Sequence, residues 1–202
     1  SLIGIAQINS KNSTQTFGDN TKVQVKNSLG DLIVEGDESQ LGLISEATGI
    51  SQSGSSGSSS QTFGENTQIR VESKAGSIKN TASAEIDFSA KGIEQANRGA
   101  QMTFGNGTQV TVHAEVGAIE GVQELNSSVN AYGIYSVGSL EDDLVFDGDL
   151  SIQATVKPLI RDGVVLTDQA NAYSLFATGN GAIRLNDQGA NKITLVGDLG
   201  TG

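Results

Sequence analysis

One ten-residue string occurs three times in this chain. Thr16-Phe17-Gly18-Asp19-Asn20-Thr21-Lys22-Val23-Gln24-Val25 returns as Thr62-Phe63-Gly64-Glu65-Asn66-Thr67-Gln68-Ile69-Arg70-Val71. It returns again as Thr103-Phe104-Gly105-Asn106-Gly107-Thr108-Gln109-Val110-Thr111-Val112. A degenerate fourth copy runs Val145-Phe146-Asp147-Gly148-Asp149-Leu150-Ser151-Ile152, and a half-copy follows at Leu195-Val196-Gly197-Asp198-Leu199. The four phenylalanines stand 46, 41 and 42 positions apart. Self-similarity at a steady period is the mark of stacked repeats, each too small to bury a core alone.

A second motif interleaves with the first, an apolar pair beside a small residue. It reads Gly4-Ile5-Ala6, Gly42-Leu43-Ile44, Gly92-Ile93, Tyr132-Gly133-Ile134-Tyr135 and Tyr173-Ser174-Leu175-Phe176-Ala177. Two strand motifs per 41 residues predict a coil of roughly 20 residues, and about ten coils at a strand spacing of about 4.8 Å predict a rod near 50 Å. Within each copy the residues alternate at period two, the pattern of a half-buried strand. Thr67, Ile69, Val71, Thr108, Val110 and Val112 are expected inside, and Gln68, Arg70, Gln109, Thr111 and His113 outside. Gly, Asn and Asp between the copies supply the positive φ that tight corners require. The expected fold is therefore all-β, a right-handed parallel β-helix. It is read as a single segment, 1–202, of a longer chain, because the pattern is still running at Gly202. The Ser/Gly-rich run at 51–60 is expected to be a flexible loop that lengthens the first interval.

Composition narrows the function classes. Aromatic residues make up 4% of the chain and there is no Trp, so the core must be narrow and built from Val, Ile and Leu with an occasional Phe. Twelve Lys and Arg against 23 Asp and Glu leave a formal charge of −11. Without a basic run, neither nucleic acid nor an anionic bilayer is an expected partner. No apolar stretch approaches the roughly 20 residues of a membrane-spanning helix, so no direct membrane insertion of this segment is expected. The absence of Cys excludes disulfides and thiolate metal sites.

The last 75 residues or so resemble the passenger of a bacterial autotransporter. The resemblance is carried by Ala131 to Ser136, Asp147 to Ile152, Ala172 to Gly181 and Lys192 to Leu199, in which a small–Tyr–Gly/Ser–apolar strand is followed by strands ending Gly-Asp-apolar. It implies a right-handed β-helix, a barrel translocator elsewhere in the gene product, and display at the cell surface or release from it. The function it implies is that of a non-catalytic stalk in adhesion or aggregation. Its partners would be a host or bacterial surface protein, a glycan, or a second copy of the chain.

Residues able to do chemistry are sparse. His113 is the one histidine, and a general base or metal ligand needs partners that no Cys or second His supplies. The densest acidic stretch is Glu141, Asp142, Asp143, Asp147 and Asp149. Of these, Asp142, Asp143, Asp147 and Asp149 form a candidate cation cluster of oxygen ligands, weighed against a plain solvated corner. Paired carboxylates also perform glycoside hydrolysis, which leaves a carbohydrate-active β-helix as an alternative. Such sites add clustered basic residues, whereas Lys22, Arg70, Lys74, Lys91 and Arg98 are scattered along the sequence. A trimeric phage tail fibre is a third reading. Gly148-Asp149-Leu150-Ser151 lacks a histidine base downstream, and the triplets at Asn12, Asn106 and Asn126 match the glycosylation acceptor pattern as chance allows in an Asn- and Ser-rich chain. No catalytic residue and no cofactor is expected.

Overall fold

The computed structural model describes residues 1–8, 12–34, 40–54, 59–79, 82–96, 100–140, 144–179, 183–186 and 192–200. Among these residues there is no helix, and the strands stack into four mainly parallel sheets, A to D, whose path is compatible with a β-solenoid. The first rung is β1 (Leu2–Ile8), β2 (Thr14–Phe17), β3 (Lys22–Leu29) and β4 (Leu32–Ile33). The second is β5 (Gln40–Ser53), β6 (Ser59–Phe63), β7 (Gln68–Ala75) and β8 (Ile78–Lys79). The third is β9 (Ser83–Ala96), β10 (Ala100–Phe104), β11 (Thr108–Val116) and β12 (Ile119–Glu120). The fourth is β13 (Glu124–Leu140), β14 (Leu144–Asp147), β15 (Leu150–Val156) and β16 (Leu159–Arg161). The chain then turns back through Asp162 and Gly163, both at positive φ, into β17 (Val164–Leu166), which pairs antiparallel with β16. A fifth rung follows with β18 (Ala170–Gly179), β19 (Ile183–Asn186) and β20 (Ile193–Leu199). Successive strands of a rung belong to sheets A, B, C and D in turn.

Register corrects the expected coil size. Phe17 pairs with Phe63, Phe63 with Phe104 and Phe104 with Phe146, so the hydrogen-bonded neighbour lies a whole 41 to 46 residues away rather than about 20. The two motifs that suggested a half-sized unit lie on different sheets of one rung. Sheet D, whose first strands are only two residues long, left almost no trace in the pattern. Five rungs, not ten, put the first strand about 20 Å from the last.

The second motif is also realigned. Gly92 stands in one column with Gly4, Gly49, Gly133 and Ser174, because Thr48 pairs with Lys91 and Ile50 with Ile93. Gly42 instead pairs with Glu85. Sheets A and C pack against each other across the core, and side chains of C crowd the backbone of A at the glycine column. A Cβ on Gly133 would sit 2.2 Å from Ile152 Cγ2 and 2.4 Å from the Ser174 carbonyl oxygen, whereas one on Gly42 meets nothing within 4 Å.

The interior is a set of side-chain columns. Phe17, Phe63, Phe104 and Phe146 stack with centroids 5.0, 4.9 and 5.1 Å apart. Val25, Val71, Val112 and Ala154 form another column on sheet C. Thr67 and Thr108 are fully buried as expected, and each hydroxyl donates to a corner carbonyl, Gly64 at 2.9 Å and Gly105 at 2.7 Å. That bond explains why a threonine three places after the corner glycine recurs in each full copy of the string.

The Ser/Gly-rich run is not simply a loop. Ser51 to Ser53 complete β5 and Ser59 and Ser60 begin β6; Ser51, Gln52 and Ser59 are buried. Residues 55–58 lie outside the described ones. Nor does the run account for most of the longer first interval. Ile33 to Gln40 spans seven positions where Lys79 to Ser83 spans four, whereas Ser53 to Ser59 spans six against the four of Ala96 to Ala100.

Candidate functional site

Because A and C pack inner face to inner face, their outer faces point in opposite directions, and these are the two broad surfaces of the molecule. On sheet A the outer column Thr48–Lys91–Tyr132–Tyr173 runs beside Ser51–Glu94–Tyr135–Phe176. Tyr132 stacks on Tyr173 at 5.4 Å and Tyr135 on Phe176 at 5.4 Å, and the two stacks meet edge to face. An amide column flanks them, with Asn171 Nδ2 donating to Asn130 Oδ1 at 2.9 Å. Below the rings the Lys91 ammonium lies 2.7 Å from Glu46, 2.6 Å from Glu94 and 4.6 Å from the Tyr135 centroid. Burial works to lower its pKa, but the two carboxylates outweigh it and hold it above the ordinary lysine value. Burial, reinforced by the neighbouring phenols Tyr135 and Tyr173, pushes the Tyr132 phenol up.

On sheet C the outer face is different. His113 faces outward as the alternation predicts, and its Nε2 lies 3.3 Å from Glu115 Oε2. Glu115 also takes Lys157 at 3.1 Å and Lys74 at 3.4 Å, and Lys74 reaches Glu72 at 3.0 Å. Burial works against the ionised Glu115, yet the His113 contact and the two ammoniums hold its carboxyl below the usual range. Glu72 is held low as well, chiefly by the hydrogen bond from Lys74. This histidine therefore sits in a structural ion network.

The acidic stretch is divided. Residues 141–143, including Asp142 and Asp143, lie outside the described residues. Asp147 ends β14, and Asp149 is a corner residue whose Oδ1 accepts the Lys192 backbone N–H at 2.8 Å. The same device recurs where Asn106 Oδ1 accepts from Asp149, Asp19 from Glu65 and Asp31 from Ser77. Each side chain ties one rung to the next, which is the work done by Asp149 and Asn106 here. Among the described residues no group of three His, Asp or Glu is placed to hold a metal ion.

The structure gathers basic residues that the sequence presents as scattered. Gln24 pairs with Arg70, Lys26 with Glu72 and Ser28 with Lys74. Lys22, Lys26, Arg70 and Lys74 therefore share the outer face of sheet C in the first two rungs, while Lys91 stands on sheet A. Arg98 lies outside the described residues. The signal was present in the 46-residue offset, which lays the second copy beside the first. No family model, curated protein or solved structure matches the chain.

Proposed function

We propose that this chain is a right-handed β-helical stalk or passenger segment of a surface-exposed or secreted bacterial protein, acting in adhesion or aggregation without catalysing a reaction. The observation that carries the reading is the uninterrupted side-chain stacking between rungs, which turns a repeat of about 41 residues into a rod with two flat outer faces. The right hand follows from the chirality of parallel crossovers, which is right-handed in about 98% of cases. Register lays Tyr132-Gly133-Ile134-Tyr135 directly beside Tyr173-Ser174-Leu175-Phe176, as stacked copies of one motif require. Of the polar groups best suited to chemistry, His113 contacts Glu115 on its own strand and Asp149 ties its corner to the next rung through Lys192. The partners are a host or bacterial surface protein or glycan, or another copy.

Sequencing the reading frame past Gly202 tests this. Further rungs leading into about a dozen amphipathic strands of about ten residues would encode an outer-membrane barrel and uphold the reading. A frame that runs into a capsid-attachment or catalytic domain would sink it.

A further inference from the structure

With one exception, Asp198 on β20 at the far end of sheet C, the charges that remain among the described residues after the internal ion pairs are formed are segregated by face. The strands of sheet A carry Glu46, Glu85, Asp87, Glu94 and Glu124 against one cation, Lys91, which Glu46 and Glu94 already occupy. Glu85, Asp87 and Glu124 are left exposed on the outside of β9 and β13, with no ion pair among the described residues. Glu124 pairs in register with Ser83, two residues before Glu85, so the three carboxylates form one patch.

The opposite face has the complementary set. On sheet C, Lys74 and Lys157 are taken up by Glu72 and Glu115. Lys22, Lys26 and Arg70 are exposed, again with no ion pair among the described residues, and they surround Gln24 on β3 and β7. Among the described residues, a chain of net charge −11 thus keeps three cations without an ion pair together on one face and three such carboxylates together on the reverse.

We propose that the occupant of each face is a second copy of this chain, the Lys22/Lys26/Arg70 patch of one rod lying against the Glu85/Asp87/Glu124 patch of the next. The contact is heterologous, because it joins two different surfaces, and the surfaces point in opposite directions. Such a contact generates an open row and not a closed dimer. It is steered by exposed charge, so it weakens as the Debye length falls from about 30 Å at 0.01 M salt to about 3 Å at 1 M. The inference deepens the aggregation half of the reading above and leaves the adhesive half untouched.

The test is sedimentation of the purified chain over a range of concentration and salt, with two face-reversed variants. Wild type is expected to rise past twice 20.8 kDa with concentration at low salt, and to lose at least about tenfold in association by 0.5 M salt. Lys22→Glu/Lys26→Glu/Arg70→Glu makes both faces acidic, and Glu85→Lys/Asp87→Lys/Glu124→Lys makes both basic. Each variant alone is expected to remain monomeric. An equimolar mixture of the two is expected to associate, which shows that both are folded and that complementarity is the cause. Three results would overturn the proposal: a wild type that stays monomeric at low salt, association that survives either reversal, or a mixture that stays monomeric. Survival would point to stacking through the open strand edges of the end rungs.

Discussion

The first two rungs and the next two follow the same four-sheet path over very different interiors. In the first two, Gln52 Nε2 donates to Gln7 Oε1 at 2.8 Å, Gln95 of the third rung continues that ladder at 2.5 Å, and Gln61 Nε2 donates to Gln15 Oε1 at 2.8 Å. Asn27 bonds Ser45 at 2.8 Å and Ser73 at 3.2 Å. Further on, two of these columns become apolar, while the Gln52 column passes through Gln95 to Ser136. Gln61 is followed by Met102 and Leu144, and Ser73 by Ala114 and Val156. The backbone ladder accepts either filling, provided that a polar column continues. Where it stops, an acceptor is stranded: Gln61 Oε1 and Gln95 Oε1 are buried with no partner. An unmet buried acceptor costs about 1–3 kcal/mol, so the boundary between the two interiors is a weak point.

The sharpest contrast between the halves is expected at the glycine column. Gly133→Ala forces a methyl group onto Ile152, which β11 and β20 flank on either side, and onto the Ser174 carbonyl of β18, while β13 itself is held between β9 and β18. It is expected to destabilise by about 3 kcal/mol or more. Gly4→Ala meets Gly49 O at 2.7 Å and Val25 Cγ2 at 2.8 Å, but β1 is an edge strand, which can shift outward. A loss of about 1–2 kcal/mol is expected there. Urea unfolding midpoints measure both. Equal losses would mean that the first rung is as firmly held as the fourth.

The glutamine ladder gives a smaller and non-additive effect. Gln61→Met removes the stranded acceptor but takes away the donor that Gln15 Oε1 uses, so it should be close to neutral. Gln15→Met with Gln61→Met removes both polar groups and extends the apolar column of Met102 and Leu144 downward. A gain of about 1–3 kcal/mol is expected for the pair. A double variant less stable than wild type would show that the ladder holds the first rungs together, and the comparison of interiors would reverse.

How much of this was legible depended on which interaction set each position. Inward and outward positions of β7 and β11 could be read from alternation alone, because burial acts residue by residue. Register could not. Pairing depends on which copy lies beside which, and a motif count that ignored sheet D halved the rung. Gly42 and Gly49 are both followed by apolar residues, and what distinguishes them is the approach to Gly49 of the Gly92 carbonyl and of Ile69 and Val71 from sheet C. The candidate faces were hidden for the same reason. Lys26 and Arg70 are 44 positions apart in the chain, yet they stand on adjacent strands once the offset is 46.

The smallest effect expected lies where the two halves are joined by charge. Lys74 of the second rung bridges Glu72 and Glu115, and Lys157 of the fourth reaches the same Glu115. The Glu115 carboxyl is depressed in the folded chain, so its contribution is present above the unfolded glutamate pKa, about 4.3, and is lost as pH falls through the lower folded value. The side chains are 23%, 43% and 37% exposed for Glu115, Lys74 and Lys157, so solvent screening keeps the gain modest. Glu115→Gln is therefore expected to cost about 0.5–1 kcal/mol at neutral pH and progressively less below pH 4. Urea titrations of wild type and variant at pH 7 and pH 3 decide it. If the gap between them is as wide at pH 3 as at pH 7, the side chain matters through its packing, and the halves are held together by their backbone ladders and columns alone.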